Sequence, residues 1–108
     1  MTVKTGTIAT ISCFVSDVYG ADGQPEIYWH LSADVYSVDL ATKSGYTVNK
    51  GTWKERLDED GKGDMVTTLA VWGVSNKADT DYACTVVPRI ANQQTDYKTI
   101  ITLKTFGN

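Results

Sequence analysis

The sequence predicts an all-β domain built as an antiparallel sandwich of two sheets. Short runs rich in β-branched and aromatic residues recur between turn-forming residues at intervals of about 8 to 12, which is the spacing of such a sandwich. No stretch shows a strong helical pattern of apolar residues. Four residues, Cys13, Trp29, Tyr82 and Cys84, have the order and spacing of a core frame in a two-sheet sandwich.

The bulk composition indicates one domain, residues 1–108. With 42% hydrophobic residues, a chain of 108 can bury roughly 60 to 70% of its unfolded surface in one core. The 10 basic and 13 acidic residues give a net charge of -3, and the basic ones are scattered along the chain. We therefore expect no nucleic-acid partner, and no apolar run reaches the roughly 20 residues that a membrane span requires.

The second strand is expected at residues 7–15, after a first strand that ends before the turn at Gly6. Alternation along this strand places one set of side chains on a common inner face. These residues are Ala9, Ile11, Cys13 and Val15.

The third strand is expected at residues 26–31. Alternation directs Trp29 inward, beside Ile27 and Leu31, and leaves Tyr28 and His30 on the outer face. Outward rings on one face are candidates for contact with another molecule.

Turn-forming residues separate the remaining strands, giving nine strands at most. Leu69 is expected to point into the core and Trp72 to point away from it. The remaining segments are 35–40, 46–49, 52–57, 65–74, 81–87 and 97–106.

Three segments resemble the immunoglobulin superfamily over nearly the whole chain: residues 6–13 (Gly-Thr-Ile-Ala-Thr-Ile-Ser-Cys), Trp29, and residues 81–84 (Asp-Tyr-Ala-Cys). The chain looks most like the variable-type set, because the stretch between Trp29 and Leu69 is long enough for two additional strands beside the third one. The resemblance implies an immunoglobulin-like sandwich of about nine strands with Greek-key connections. It also implies a core frame of Trp29, Tyr82 and Leu69 and an inter-sheet disulfide between Cys13 and Cys84.

The two cysteines are 71 positions apart on opposite predicted sheets, and this placement favours a disulfide and export to an oxidising compartment.

Two departures from the family pattern argue against a rearranging antigen receptor. The family has an acidic residue six positions before the second cysteine, and here that position is Ala78, so we expect the ion pair of Arg56 to be shifted or absent. The Phe-Gly-x-Gly bulge that opens the last strand is also missing. We expect an extracellular domain of a receptor or adhesion protein, excised from a longer ectodomain.

Two surfaces are candidate sites for a protein partner, which includes a second copy of the chain. In variable-type domains the outward face of the sheet that contains the third strand commonly binds partners, and the loops at one end are the other contact surface. Scattered surface aromatics and plain solvated loops are the ordinary alternatives. The face residues are Tyr28, His30, Tyr36, Thr85, Val87 and Ile100, and the loop residues are Tyr19, Arg89 and Gln93.

The sequence offers no catalytic constellation, and we expect neither an enzyme nor a cofactor. One histidine, no Gly-x-Ser-x-Gly and no glycine-rich phosphate loop leave no nucleophile and base to nominate. The acidic turn at 58–64 resembles half a calcium loop but lacks its spacing and its late glutamate, so we expect no metal site there. Two alternatives stay open: a structural intermediate-set-like module of a filament or matrix protein, and a calcium-dependent lectin-like module.

Overall fold

Eight strands form two packed sheets in the computed structural model, which describes residues 2–19, 25–57, 62–73, 80–88 and 96–106. The predicted fold class, an immunoglobulin-like β-sandwich with one inter-sheet disulfide, is confirmed. The described residues contain one further element, a 3₁₀ turn at Leu40–Thr42. The strands are β1 Thr2–Lys4, β2 Ala9–Tyr19, β3 Glu26–Leu31, β4 Tyr46–Asn49, β5 Lys54–Glu55, β6 Lys62–Val71, β7 Thr80–Val87 and β8 Tyr97–Phe106.

The first sheet has the order β1-β8-β7-β3, and the second has the order β2-β6-β4 with β5 also paired to β6. All pairs are antiparallel except β1 with β8. The connections from β2 to β3, from β3 to β4 and from β6 to β7 each pass from one sheet to the other. The core therefore lies between strands that are distant in sequence.

The core frame predicted from the sequence is buried between the sheets. Trp29, Leu69 and Cys84 are 0% exposed, and Tyr82 is 4% exposed. The disulfide joins Cys13 on β2 to Cys84 on β7, which links the two sheets covalently.

A hydrogen-bonded relay crosses the same core. The indole Nε1 of Trp29 on β3 donates to the Thr67 hydroxyl on β6 at 3.1 Å. That hydroxyl in turn donates to the Asn49 carbonyl of β4 at 2.8 Å. Trp29 and Thr67 are both 0% exposed, so the bond between them satisfies polar atoms that water does not reach.

The prediction of a strand at residues 35–40 is wrong. Residues 32–39 form turns instead, and the Asp39 carboxylate accepts a hydrogen bond from the Ala41 amide at 2.9 Å, which caps the 3₁₀ turn. Asp side chains compete with strand pairing in this way because they offer the backbone a local acceptor. Leu40 anchors the turn in the core at 2% exposed, whereas Val35 is 68% exposed.

The strand Tyr46–Asn49 forms as predicted, but it belongs to the other sheet. It pairs with β6, from Tyr46 opposite Val71 to Asn49 opposite Thr68, so no described strand continues the first sheet beyond β3. Tyr46 and Val48 pack against the core on this sheet, which gives the pairing its apolar support. The variable-type expectation of about nine strands, with additional ones beside β3, is therefore corrected to eight.

Arg56 forms an ion pair with Asp64 of β6. Its guanidinium makes two bonds to the Asp64 carboxylate, Nε to Oδ2 at 2.9 Å and Nη2 to Oδ1 at 2.8 Å. Both side chains are about one-third exposed, so solvent screens the pair and its stabilising effect is modest. Ala78 lies outside the described residues.

The relay through Thr67 gives a stability prediction with a matched control. Thr67→Val keeps the side-chain volume but leaves the Trp29 indole and the Asn49 carbonyl without their partner, so we expect unfolding free energy to fall by about 2 kcal/mol. Thr68→Val, on the outer face of the same strand, is expected to change it by less than about 0.5 kcal/mol. Urea unfolding followed by tryptophan fluorescence measures both; equal losses would contradict a special role for Thr67.

Candidate contact face

The predicted contact residues lie on the outer side of the first sheet, in rows set by strand pairing. Tyr28 on β3 is opposite Thr85 on β7, which is opposite Lys98 on β8. The neighbouring row places His30, Ala83 and Ile100 across the same three strands. We name the surface formed by these residues and Tyr36 the outer β3-β7-β8 face.

Two predicted contact residues on this face are not accessible, which corrects the expectation. His30 is 2% exposed and Thr85 is 4% exposed. The Nε2 atom of His30 lies 2.7 Å from the Thr85 hydroxyl, and its Nδ1 atom lies 2.8 Å from the Leu31 carbonyl. Their polar groups are satisfied inside the domain, so this pair connects β3 to β7 and presents little surface to a partner.

A lysine side chain of β8 bonds to the segment that follows β3. The Lys98 ammonium on β8 donates to the carbonyl of Ser32, just after β3, at 2.9 Å. The bond therefore connects β8 to the segment after β3, and β7 lies between these two strands in the sheet. Long basic side chains commonly cover apolar surface with their stems while the charged end stays in water.

An aromatic cluster occupies the β3 edge of the face. The rings of Tyr28 and Tyr36 are 4.7 Å apart at their centroids and tilted by 43°. The Lys50 ammonium lies 5.5 Å from the Tyr28 ring centroid, within the range of a cation–π contact. The Tyr28 hydroxyl donates to a carboxylate oxygen of Glu26 at 2.6 Å. We name Glu26, Tyr28, Tyr36 and Lys50 the Tyr28 cluster.

Glu26 and Lys50 were not predicted as members of the site. Glu26 is two residues from Tyr28 on the same side of β3, so alternation along the strand could have identified it. Lys50 follows β4 of the other sheet, and no pattern in the neighbouring sequence predicts its contact with Tyr28.

The exposed part of the face is aromatic and apolar. Tyr36 is 40% exposed and Ile100 is 55% exposed, on opposite sides of the buried His30 and Thr85 pair. Val87 is half-buried at the end of β7. Tyr97, at the start of β8, is also exposed, at 47%, but it lies opposite the buried Val86 and therefore belongs to the inner side of the sheet.

The Tyr28 cluster favours an uncharged phenol. The hydrogen bond to Glu26, with burial and the nearby carboxylate charge, raises the pKa of Tyr28 to about 12. Burial and a hydrogen bond with Tyr46 also raise the pKa of Tyr82, whose ring meets that of Tyr46 edge-on at 6.1 Å. Both phenols are therefore neutral near pH 7, and Tyr28 acts as a hydrogen-bond donor.

The predicted loop surface is described only at its beginning. Tyr19 is the last residue of β2, opposite Lys62, while Arg89 and Gln93 lie outside the described residues. The predicted orientation of Trp72 is confirmed: it is 53% exposed, and its indole donates to the Thr47 hydroxyl at 2.9 Å.

No catalytic or metal-binding arrangement stands out in the described residues. They contain no group of three or more His, Cys, Asp or Glu that could hold a metal ion. Asp64 of the acidic turn is bound by Arg56, while Asp58 and Asp60 lie outside the described residues. A cavity of about 380 Å³ opens between the sheets, and its described lining, which includes Tyr46 and Tyr82, carries no carboxylate, imidazole or thiol.

The chain matches no protein-family model, and no curated protein matches it by sequence. The geometry of the face is therefore the main support for a functional conclusion.

The Tyr28 cluster predicts a pH effect. Because the folded state favours the neutral phenol, the contribution of Tyr28 to stability is intact below pH 10 and is lost as the pH rises through about 12. Glu26→Gln removes the carboxylate, so we expect the pKa of Tyr28 to move from about 12 back toward 10. An NMR titration of the tyrosine ring signals measures it, with Glu55→Gln on β5 as the control. A Tyr28 pKa near 10 in the unmodified chain would contradict the cluster.

Proposed function

We propose that this chain is an extracellular recognition domain of the immunoglobulin superfamily that binds a protein partner through its outer β3-β7-β8 face. It would serve a cell-surface receptor or adhesion molecule and carry out no catalysis. The observation that carries the proposal is the pair of exposed side chains, Tyr36 and Ile100, on a face whose centre is closed by the buried pair His30 and Thr85.

The core supports the family and the compartment. The disulfide between Cys13 and Cys84, with Trp29 buried in the same core, reproduces the arrangement that the resemblance implies. Structural disulfides form and persist mainly in oxidising compartments, which favours export. Among the described residues, no helix has the length and hydropathy needed to cross a bilayer.

The chemistry of the face supports a protein ligand. Tyrosines provide large contact area with few rotatable bonds, and Tyr36 is further restrained by its contact with Tyr28. Lys50 and Lys98 lie at the two sides of the face and could pair with acidic groups of a partner. Aromatic and apolar contacts surrounded by charged groups are the usual composition of a protein interface.

The eight-strand arrangement changes where the partner would sit. Without additional strands beyond β3, the Tyr28 cluster stands at the edge of the sheet, so a partner can contact the cluster and the sheet face together. Tyr19, Arg89 and Gln93 remain predicted contacts of a second, loop-end surface.

The two alternative functions have less support. A structural module of an intracellular filament would not need the disulfide. A module of a matrix protein would keep it, and the exposed Tyr36 and Ile100 on one face are what favour recognition over that role. A calcium-dependent lectin-like module would need the Asp64 carboxylate, whose two oxygens are bonded by Arg56.

A binding assay with matched variants tests the proposal. The chain, displayed as a tetramer, is screened against an array of purified ectodomains, and each binder is retested with Ile100→Asp and Val66→Asp. These positions are similarly exposed, at 55% and 47%, but lie on opposite sheets. We expect Ile100→Asp to weaken binding by about thirtyfold or more, as removal of a central contact residue does, and Val66→Asp to change it less than about twofold.

Two outcomes contradict the proposal. One is that no ectodomain binds the tetramer. The other is that bound ectodomains tolerate Ile100→Asp and reject Val66→Asp, which would assign the contact to the other sheet. Circular dichroism of both variants controls for folding.

A further inference from the structure

Strand β2 is an edge strand that offers its backbone for pairing. It lies at the end of the order β2-β6-β4, and among the described residues β6 is its sole strand partner. With 11 residues, it is also the longest strand. An edge strand presents a row of backbone N–H and C=O groups to which another strand can bond.

The other described edges carry the protection that proteins commonly use, whereas residues 9–16 of β2 do not, because Asp17 and the register shift between Val15 and Val18 come only near the end of this strand. Strands β1 and β5 are only three and two residues long and contain lysine, and β4 has four residues followed directly by Lys50. Strand β3 contains Glu26 and is accompanied by the Tyr28 cluster. Residues 9–16 of β2 read Ala-Thr-Ile-Ser-Cys-Phe-Val-Ser, eight residues without a charge. Short length and charged side chains are known to block edge pairing, and their absence permits it.

We propose that two copies of this chain associate through β2, which pairs antiparallel with β2 of the second copy. The result is one continuous sheet of eight strands, four from each copy, with the main order β4-β6-β2-β2-β6-β4 and with β5 of each copy still paired to its β6. The lack of charge favours a second copy as the occupant. A two-fold axis makes the strand oppose an identical strand running in the reverse direction, so a strand whose charges share one sign would oppose like charges, whereas residues 9–16 carry no charge.

The regular part of β2 defines the register. Residues from Ala9, opposite Val71, to Val15, opposite Met65, pair with β6 without interruption, and the register shifts only after Val15. The centre of this regular stretch is Ser12. A two-fold axis at Ser12 pairs Ala9 with Val15, and inward residues then meet inward residues. A register shifted by one residue would instead pair inward residues of one copy with outward residues of the other.

The exposed apolar residues of β2 fit this arrangement. Phe14 is 69% exposed on the outer side of β2, beside Val66 on β6, which is 47% exposed. In the proposed register Phe14 lies opposite Thr10 of the second copy, so part of its ring is removed from water. On the inner side, Ala9 and Val15 extend one apolar core toward the other.

The contact is small, so the dimer should be transient and dependent on concentration. It uses the sheet opposite the outer β3-β7-β8 face and leaves that face free. The inference therefore goes beyond the proposed function and does not depend on it. A dimer would present two partner sites together and raise avidity.

Sedimentation equilibrium from micromolar to millimolar chain concentration tests the proposal with two charge variants. Ser12→Lys places two lysines opposite each other at the axis, and we expect it to raise the dimer dissociation constant about fivefold. Thr68→Lys adds the same charge to the same face one strand away. In the dimer these two lysines would be about 14 Å apart, and salt screens them at physiological ionic strength, so we expect less than a twofold change.

Hydrogen exchange of the unmodified chain provides a second test that does not rely on a variant's folding. We expect amides in residues 9–16 to exchange more slowly at high than at low chain concentration, because edge pairing protects backbone amides and contact between sheet faces does not. A chain that remains monomeric at millimolar concentration overturns the proposal. Equal weakening by both lysine variants, or protection located in β3 or β8, overturns it as well.

Discussion

The link between the two sheets at Trp29 is the constraint on which the rest of the structure depends. The disulfide from β2 to β7 and the Trp29–Thr67–Asn49 relay from β3 through β6 to β4 connect five of the eight strands through one buried region. A disulfide that closes 71 positions stabilises mainly by restricting the unfolded chain, by roughly 4 kcal/mol in the loop-entropy model. These core residues are fully committed to the scaffold, so recognition must use residues outside them.

The core could be predicted from the sequence because alternation is a local property. Cys13, Trp29 and Leu69 each face inward as their strand positions require, and the bounds of β3 and β4 agree with the prediction. The pairing of β4 could not be predicted in the same way. A four-residue strand fits the edge of either sheet, and the choice depends on the packing of Tyr46 and Val48 against β6.

In the contact face too, alternation predicts the side of the strand on which a residue lies, whereas its burial depends on tertiary contacts. Alternation places Tyr28 and His30 on the outer side of β3 but does not show whether that side is covered. His30 is buried because its two ring nitrogens find partners at Thr85 and Leu31, and Thr85 is 55 positions away in the sequence. The residues of this face that remain exposed are Tyr36 and Ile100, and the uncharged residues 9–16 of β2 lie on the opposite sheet.

The central claim, an exported domain whose sheets are joined by Cys13 and Cys84, is tested most directly by thiol titration. The chain is expressed from its natural gene and host, unfolded in denaturant without reductant, and reacted with a thiol reagent. We expect no reactive thiol before reduction and two after it, because both cysteines are held in one disulfide. Two reactive thiols before reduction would contradict it.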